Sequence, residues 1–375
     1  MNVLFLSQGS DVSDHPGWHD GMLRLQREGM VNAYDNIPYL GFAAENGWDR
    51  FYDYIVDKCN SLAYDVVYFQ YFHRKGTPSP RECVQRLRQL DKAPLIITSA
   101  GDPFSDNLLK PDYPQDFKEI SRLADITFST QMGKAADKMV RWGAKNIIYM
   151  PNGMCQKRFN ALGVEANHTF DFDVVFVGSR NNSKNPGSKY FWATRDREEL
   201  VKKLSKHYGR NFGLFGHNWD TKISHGPIPF SEQQNTFRRG RVVVGGNPYS
   251  YSDYYTSNRA FFEVASGIPT VELKVPRIGN VLRNNDHVYW VDSIGGITDR
   301  IDRLLDEDAS QLYQKSSLAA QYIEDRHTQY HRMKFKMVVS KHYIEHKNLK
   351  IDFPYFLDEV DIIEEHKFAT RLKAE

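Results

Sequence analysis

The stretch SNRAFFEVASGIPTVE, residues 257–272, places an arginine and a carboxylate one helical turn apart, beside a tight glycine turn. Ser257 or Asn258 has the chemistry of a helix N-cap, RAFFEVAS has the length of a short helix, and Gly267 followed by Pro269 ends it. Unpaired N–H groups at such a helix start, with the guanidinium of Arg259 beside them, form a site for a phosphate group. Glu263 stands at i,i+4 from Arg259, so its carboxylate either pairs with that arginine or accepts hydrogen bonds from the hydroxyls of a ligand. An ion pair on a solvated helix face is the plainer alternative.

Such a stretch acts only when a scaffold positions it. At 375 residues the chain exceeds what one hydrophobic core usually organises, which predicts two domains. A composition of 41% hydrophobic and 26% charged residues, without low-complexity tracts, is that of a folded globular protein. The formal charge of +2 creates no overall field that demands nucleic acid or membrane. The 21 Tyr and 23 Phe can line a groove, although aromatic residues more often fill cores. Cys59, Cys83 and Cys155 are odd in number and widely spaced, which argues against a disulfide framework or a zinc site and for a reducing compartment. NVLFLS at the start is too short for a signal sequence and no apolar run reaches about 20 residues, so the expected location is cytoplasmic.

The elements follow an alternating rhythm. NVLFLS (2–7), DVVYFQYF (65–72), PLIITSA (94–100), DITFST (125–130) and NIIYMP (146–151) read as buried strands separated by segments of helical period. After a polar connector the rhythm restarts with DVVFVGS (173–179), a helix over 194–208, NFGLFG (211–216), RVVVGG (241–246), IPTVEL (268–273) and HVYWV (287–291). The expected fold class is therefore α/β, with two Rossmann-like domains facing each other across a cleft and C-terminal helices. The spans are an N-terminal domain over 1–160, a second over 161–325, and a helical segment over 326–375 packing back on the first. Open α/β sheets of this kind bind ligands at their strand ends.

RAFFEVASGIPTVE resembles the donor-site motif of GT-B glycosyltransferases, R-x-F/Y-E-x-x-A-x-G-x-P-x-V, especially the branch of CgeB-like proteins. HTQYHR (327–332) is similar to the run that closes those proteins, and WGAKNIIYMPNGMCQKRF is similar to the end of their first domain. The three motifs occur in the family's order and span roughly 140–335; the first 130 residues match only in pattern. The resemblance implies a hexosyl- or pentosyltransferase whose second domain holds a nucleotide-sugar donor, a UDP-sugar, and whose first holds the acceptor. It implies no cofactor and no metal. Glu263 inherits the ribose-binding role, and Arg259 with the helix-start amides, Asn258 among them, faces the diphosphate. Gly178, Ser179 and Arg180 stand where relatives place a V-G-x-R turn, and Lys184 follows at the spacing of a second cation. Two cations can neutralise the departing diphosphate without a metal; a solvated loop, NNSKNPGSK, is the competing reading for Arg180 and Lys184. One departure matters: retaining members carry a second glutamate eight positions before the motif glutamate, and that position is Tyr255, so the stereochemistry is not carried over.

Transfer to a hydroxyl in an inverting reaction needs a general base. Asp102 in TSAGDPFSD, where the relatives often show D-D-P, is the first candidate; Asp14, His15 and His19 in SQGSDVSDHPGWHDG share the second place. G-D-P is also an ordinary turn. Trp18 and His73 are acceptor-contact candidates, and His217 is a possible neighbour of the nucleobase loop. The acceptor is a glycan or small molecule, or alternatively hydroxymethylated pyrimidines in DNA. In the DNA case FRRGR (237–241), YFHRKG (71–76) and the basic run 334–350 would track phosphates, and Trp18, Tyr71 and Phe72 would line a pocket for a flipped base. A non-catalytic nucleotide-sugar-binding relic is a third reading. The oligomeric state is open. No Walker-A lysine, H-E-x-x-H, G-x-S-x-G or G-x-G-x-x-G motif occurs, which disfavours NTPase, zinc protease, serine hydrolase and nicotinamide enzymes.

Overall fold

Continuous runs of β-branched and aromatic residues are stable as strands only when both faces are covered, and the chain meets that requirement twice. The computed structural model describes residues 1–72, 78–102, 115–165, 167–180, 191–220, 222–246, 253–278 and 281–349. Its strands are β1 (Asn2–Ser7), β2 (Ala33–Pro38), β3 (Val66–Gln70), β4 (Leu95–Ser99), β5 (Ile126–Ser129), β6 (Ile147–Tyr149), β7 (Phe172–Val177), β8 (Phe212–Phe215), β9 (Gly240–Val244), β10 (Thr270–Leu273) and β11 (Tyr289–Val291). They form a six-stranded sheet in the order β2-β1-β3-β4-β5-β6 and a five-stranded sheet in the order β11-β10-β9-β7-β8. The pairings within both sheets are parallel. Both sheets are doubly wound, as the alternating pattern predicts, and each has a point where the strand order reverses: between β1 and β3 in the first, between β7 and β9 in the second. At such a point the loops leave in opposite directions and open a crevice beyond the strand ends.

The chain divides into two units. The first takes the described residues up to Pro151 and those from Gln329 onward; the second takes Asn152–Thr328. The sequence places these boundaries at 160 and 325. The helix Gln329–His346 packs against the helix Pro16–Arg27 and gives Met333, Phe335, Met337 and Val339 to the core of the first unit. Residues 350–375 lie outside the described residues.

Sequence patterning misses β2. Asp35, Asn36 and Pro38 are strand-poor residue types, and Ile37 alone among its six residues is buried, because β2 is an edge strand supported by β1 only. The short helix Tyr39–Asn46 that follows is missed with it.

One buried cation stands out in the first unit. The Lys336 amine is fully buried, donates to the Tyr68 hydroxyl at 2.6 Å, and lies 4.3 Å from the centre of the Trp18 ring and 4.4 Å from that of Tyr68. Burial, and secondarily the charge of Arg332, holds its pKa well below the ordinary lysine value. The unfolded chain then binds the proton more tightly than the folded one, so stability rises with pH between the folded value and the free-lysine value, and below that window the cost is complete. Each unit of depression costs about 1.4 kcal/mol. Lys336→Met, close in volume, is expected to raise the unfolding free energy at neutral pH by at least ~1 kcal/mol in urea titrations and to flatten its alkaline rise. A loss of similar size would show that the Tyr68 bond and the ring contacts outweigh desolvation.

Candidate active site

In the second unit the strand ends at the order reversal are held by two arginines. The turn Gly178–Ser179–Arg180 leaves β7 and is locked against the loop after β8. Gly178 N–H donates to Phe215 O at 2.8 Å, Trp219 Nε1 to Gly178 O at 2.6 Å, His217 N–H to Ser179 Oγ at 3.2 Å, and Arg180 N–H to His217 O at 2.9 Å. Arg259 Nη1 donates to Val177 O at 2.6 Å. Gly178 is required there: a Cβ would lie 2.9 Å from both Arg259 Nη1 and the Phe176 ring. Arg197, buried on the helix Phe191–Tyr208, donates from Nη1 to Ser179 O at 2.9 Å and from Nη2 to Gly246 O at 2.8 Å. It thereby ties the loop after β7 to the loop after β9. Sequence reasoning missed Arg197, because RDREE inside a helix reads as a solvated face.

Beside these guanidinium groups lies a buried carboxyl pair. Glu263 is 0% and Glu272 1% exposed. No described amide, hydroxyl or guanidinium donates to either oxygen of Glu263; the charged groups that bear on it are the Glu272 carboxyl, Arg259 and Arg197. Burial, then the facing Glu272 charge, lifts the Glu263 carboxyl well above the usual range against the opposing pull of Arg259 and Arg197. The solvated i,i+4 ion pair with Arg259 is therefore not what forms.

The helix of the motif runs Asn258–Val264 with Ser257 at the N-cap position, but no side chain caps it. Seven residues give a weak dipole, so the positive charge here belongs to the guanidinium groups. Asn258 is exposed. Arg180 turns outward to Glu198 at 2.6 Å, with both side chains about two-fifths exposed (44% and 40%). Lys184 lies outside the described residues.

In the first unit the loops after β1, β3 and β4 gather around Tyr71. His15 meets the Tyr71 ring edge-on with centroids 6.3 Å apart, and Gly101 abuts the same ring at a point where a Cβ would lie 2.7 Å away. Asp102 is exposed just beyond β4, and after burial its carboxylate is the second cause that lifts the Tyr71 hydroxyl. Asp14 instead accepts from Ser10 N–H at 2.7 Å and Asp11 N–H at 3.2 Å, bonds that hold it below the usual carboxylate range and make it a poor base. His19 Nδ1 lies 2.9 Å from the Tyr34 hydroxyl, facing β2, and burial lowers its pKa despite Asp20. Trp18 is corrected outright: at 2% exposure it is core beneath Lys336 and is not available to an acceptor. Phe72 is likewise fully buried, so the aromatic pocket for a flipped base does not form from these residues. His73 lies outside the described residues.

The basic segment FRRGR is also internal in its bonding. Arg238 donates to Gly163 O and Ser266 O at 2.9 Å each, Arg239 pairs with Asp171 at 2.6 Å, and Arg241 pairs with Asp173 at 3.3 Å. Among the described residues there is no cluster of three or more metal-ligating side chains, and no helix is long and apolar enough to cross a membrane.

Residues 195–337, which carry Arg197, Arg259, Glu263 and Glu272, match the family described as glycosyl transferase-like. The chain has the GT-B fold. Its fold is shared with an alpha-glucosyltransferase in complex with UDP and a 13-mer DNA containing a HMU base, at a TM-score of 0.57 and 12% identity over 90% of this chain and 98% of that one. It is shared with a glycosyltransferase from Rickettsia africae, at a TM-score of 0.57 and 9% identity over 92% of this chain and 99% of that one. Anabaena HepE in complex with UDP and glucose gives a TM-score of 0.54 and 10% identity over 91% of this chain and 100% of that one. Identities this low carry the fold and nothing finer. No curated protein sequence matches the chain significantly.

Arg197 satisfies two carbonyls at the strand ends while itself almost fully buried. Arg197→Met leaves both without their donor and is expected to lower the unfolding free energy by about 2–3 kcal/mol, as for lost charge-assisted bonds. Urea titration checks it, and a change within the error of the titration would remove Arg197 as the tie between these loops.

Proposed function

We propose that this transferase moves a hexosyl or pentosyl group from a UDP-sugar to an acceptor hydroxyl without a metal ion, with the donor held by the second unit. The observation that carries the proposal is the convergence of Arg197 and Arg259 on the ends of β7 and β9, at the strand-order reversal of the sheet and beside Glu263. Among the described residues, Arg259 makes one hydrogen bond, to Val177 O, so a planar guanidinium with further N–H donors remains for a diphosphate. Gly178 and Ser179 border the same place, and Arg180 and Lys184 follow as further cations. A guanidinium fixed before the ligand arrives stabilises a leaving diphosphate at little reorganisation cost. Glu263 accepts the ribose hydroxyls. Its carboxyl is fully covered in the free chain, so donor binding must uncover it.

Asp102 is the proposed base, because it is the exposed carboxylate at the end of β4, whereas Asp14 is tied into the backbone and His19 to Tyr34. His15 stands with it around Tyr71 and is the residue to test next. The acceptor we favour is a glycan or small-molecule hydroxyl. The ion pairs and carbonyl contacts of the FRRGR cations, one of the three basic runs of the DNA reading, support this choice. Three buried free cysteines fit work in a reducing compartment.

UDP at a hundredfold excess over its dissociation constant is expected to add about 2.7 kcal/mol to the stability, seen as a raised melting temperature. No shift with UDP or with any other nucleoside diphosphate would contradict the donor site. Glu263→Gln is expected to weaken UDP about tenfold in calorimetry, or ~1.4 kcal/mol. Asp102→Asn is expected to lower transfer by about 10²–10⁴ with UDP affinity unchanged. Wild-type turnover in that variant would move the base to His15. Mass spectrometry of UDP-sugars incubated with glycan acceptors and with hydroxymethylated DNA identifies the acceptor.

A further inference from the structure

The second unit carries a hollow that the donor site does not use. Its volume of about 580 Å³ is that of a small-molecule site. It opens beside the amino end of the edge strand β8, whereas the turn Gly178–Ser179–Arg180 leaves the carboxyl end of β7. Two stretches of chain wall it. Ser205 belongs to the helix Phe191–Tyr208, and Arg210 and Phe212 to the passage from that helix into β8; Lys222, Ile223 and His225 come from the segment beyond β8. That segment is fastened along the strand: His225 N–H donates to Leu214 O and Gly216 N–H to Gly226 O, both at 2.9 Å, and Gly226 N–H to Ser224 Oγ at 3.1 Å. The His225 ring is stacked on Phe215, with centroids 5.1 Å apart, and meets Phe172 at 5.0 Å. These contacts cover the open edge of β8 and give Lys222 and His225 a fixed backbone.

The ionisable groups in these walls are all basic. Arg210, Lys222 and His225 are exposed, and among the described residues nothing accepts a hydrogen bond from the Arg210 guanidinium, the Lys222 amine or the His225 ring. Asp220, the acidic residue of the same loop, accepts from the Lys222 backbone N–H at 2.9 Å and does not line the hollow. On the helix wall, Ser205 Oγ is buried without a partner. Cations collected without a counter-charge raise the local potential, and an anion between them lowers it. Ile223, 43% exposed, adds apolar surface beside the charge. We propose that this hollow is a second binding site, which takes a phosphate ester. Arg210 and Lys222 hold the phosphate, a His225 ring N–H is the third donor, and the organic part of the ester lies against Ile223. Arg210 offers the planar fork that matches phosphate oxygens, and Lys222 a point charge. A soluble ester and the headgroup of an anionic lipid both present this chemistry.

The test uses the full chain and hydrogen–deuterium exchange, which locates a ligand even where it also binds elsewhere. Glucose 6-phosphate is expected to slow exchange at residues 209–212 and 222–226, with half-protection at about 1 mM or below. Arg210→Ala combined with Lys222→Ala is expected to raise that midpoint at least about tenfold. Lys202→Ala combined with Lys315→Ala removes the same charge from exposed positions outside the hollow and is expected to leave the midpoint within about twofold. Sedimentation with phosphatidylglycerol vesicles but not with phosphatidylcholine vesicles, lost only in the Arg210/Lys222 variant, assigns the phosphate to a lipid headgroup. Protection by glucose 6-phosphate without vesicle binding assigns it to a soluble ester, and either result supports the site. Three results overturn it: neither protection at these segments nor vesicle binding, an effect that the Arg210/Lys222 variant retains, or an equal loss in the Lys202/Lys315 variant. If the double variant at the hollow fails to fold, Arg210→Gln and Lys222→Gln taken singly decide. No step depends on UDP, so failure of the donor-site reading leaves this test intact.

Discussion

Backbone carbonyls at the ends of buried parallel strands have no strand partner and must find a donor elsewhere. In the second unit, at the one place where the strand order reverses, the donors are guanidinium groups: Arg259 for Val177, Arg197 for Ser179 and Gly246. Much else follows from this. Satisfying the carbonyls fixes two positive charges beside the crevice that the topology opens, and these charges in turn make it tolerable to bury Glu263 and Glu272 nearby. A structural need and a phosphate-binding capacity are met by the same side chains. The glycines at 178 and 245 are the corresponding steric condition, because a side chain at either would occupy the space of Arg259 or Glu272.

The first unit solves a different problem. Its core is completed by the helix Gln329–His346, contributed after the chain has traversed the second unit, and Lys336 and Tyr330 of that helix reach the helix Pro16–Arg27 and β3. Closure of this kind joins segments about three hundred positions apart by long-range contacts, which slows folding relative to a sheet of local contacts. It also explains why Trp18, in the first turn of the helix Pro16–Arg27 and followed by two polar residues, is interior: its neighbour is a helix more than three hundred positions away in the sequence.

The sheets were legible because their strands are continuous apolar runs, and RAFFEVASGIPTVE lies within the residues that match the glycosyl transferase-like family. What escaped had no local signature. β2 is an edge strand whose Asp, Asn and Pro hide it. Arg197 sits among four other charged residues, so its burial is decided by where the helix lies and not by its neighbours in sequence. Glu272 ends a strand-like run, PTVE, and its burial is set by what packs on β10. Arg180 shows the converse: a guanidinium at the expected position of a motif pairs with a nearby acidic residue, Glu198, which only the path of the helix reveals.

Hydrogen–deuterium exchange with and without UDP tests the central claim most directly. If the second unit holds the donor through Arg197, Arg259 and the turn after β7, UDP slows exchange at residues 178–180, 245–246 and 258–264. Protection confined to the loops around Tyr71, or absent from the second unit altogether, would contradict it.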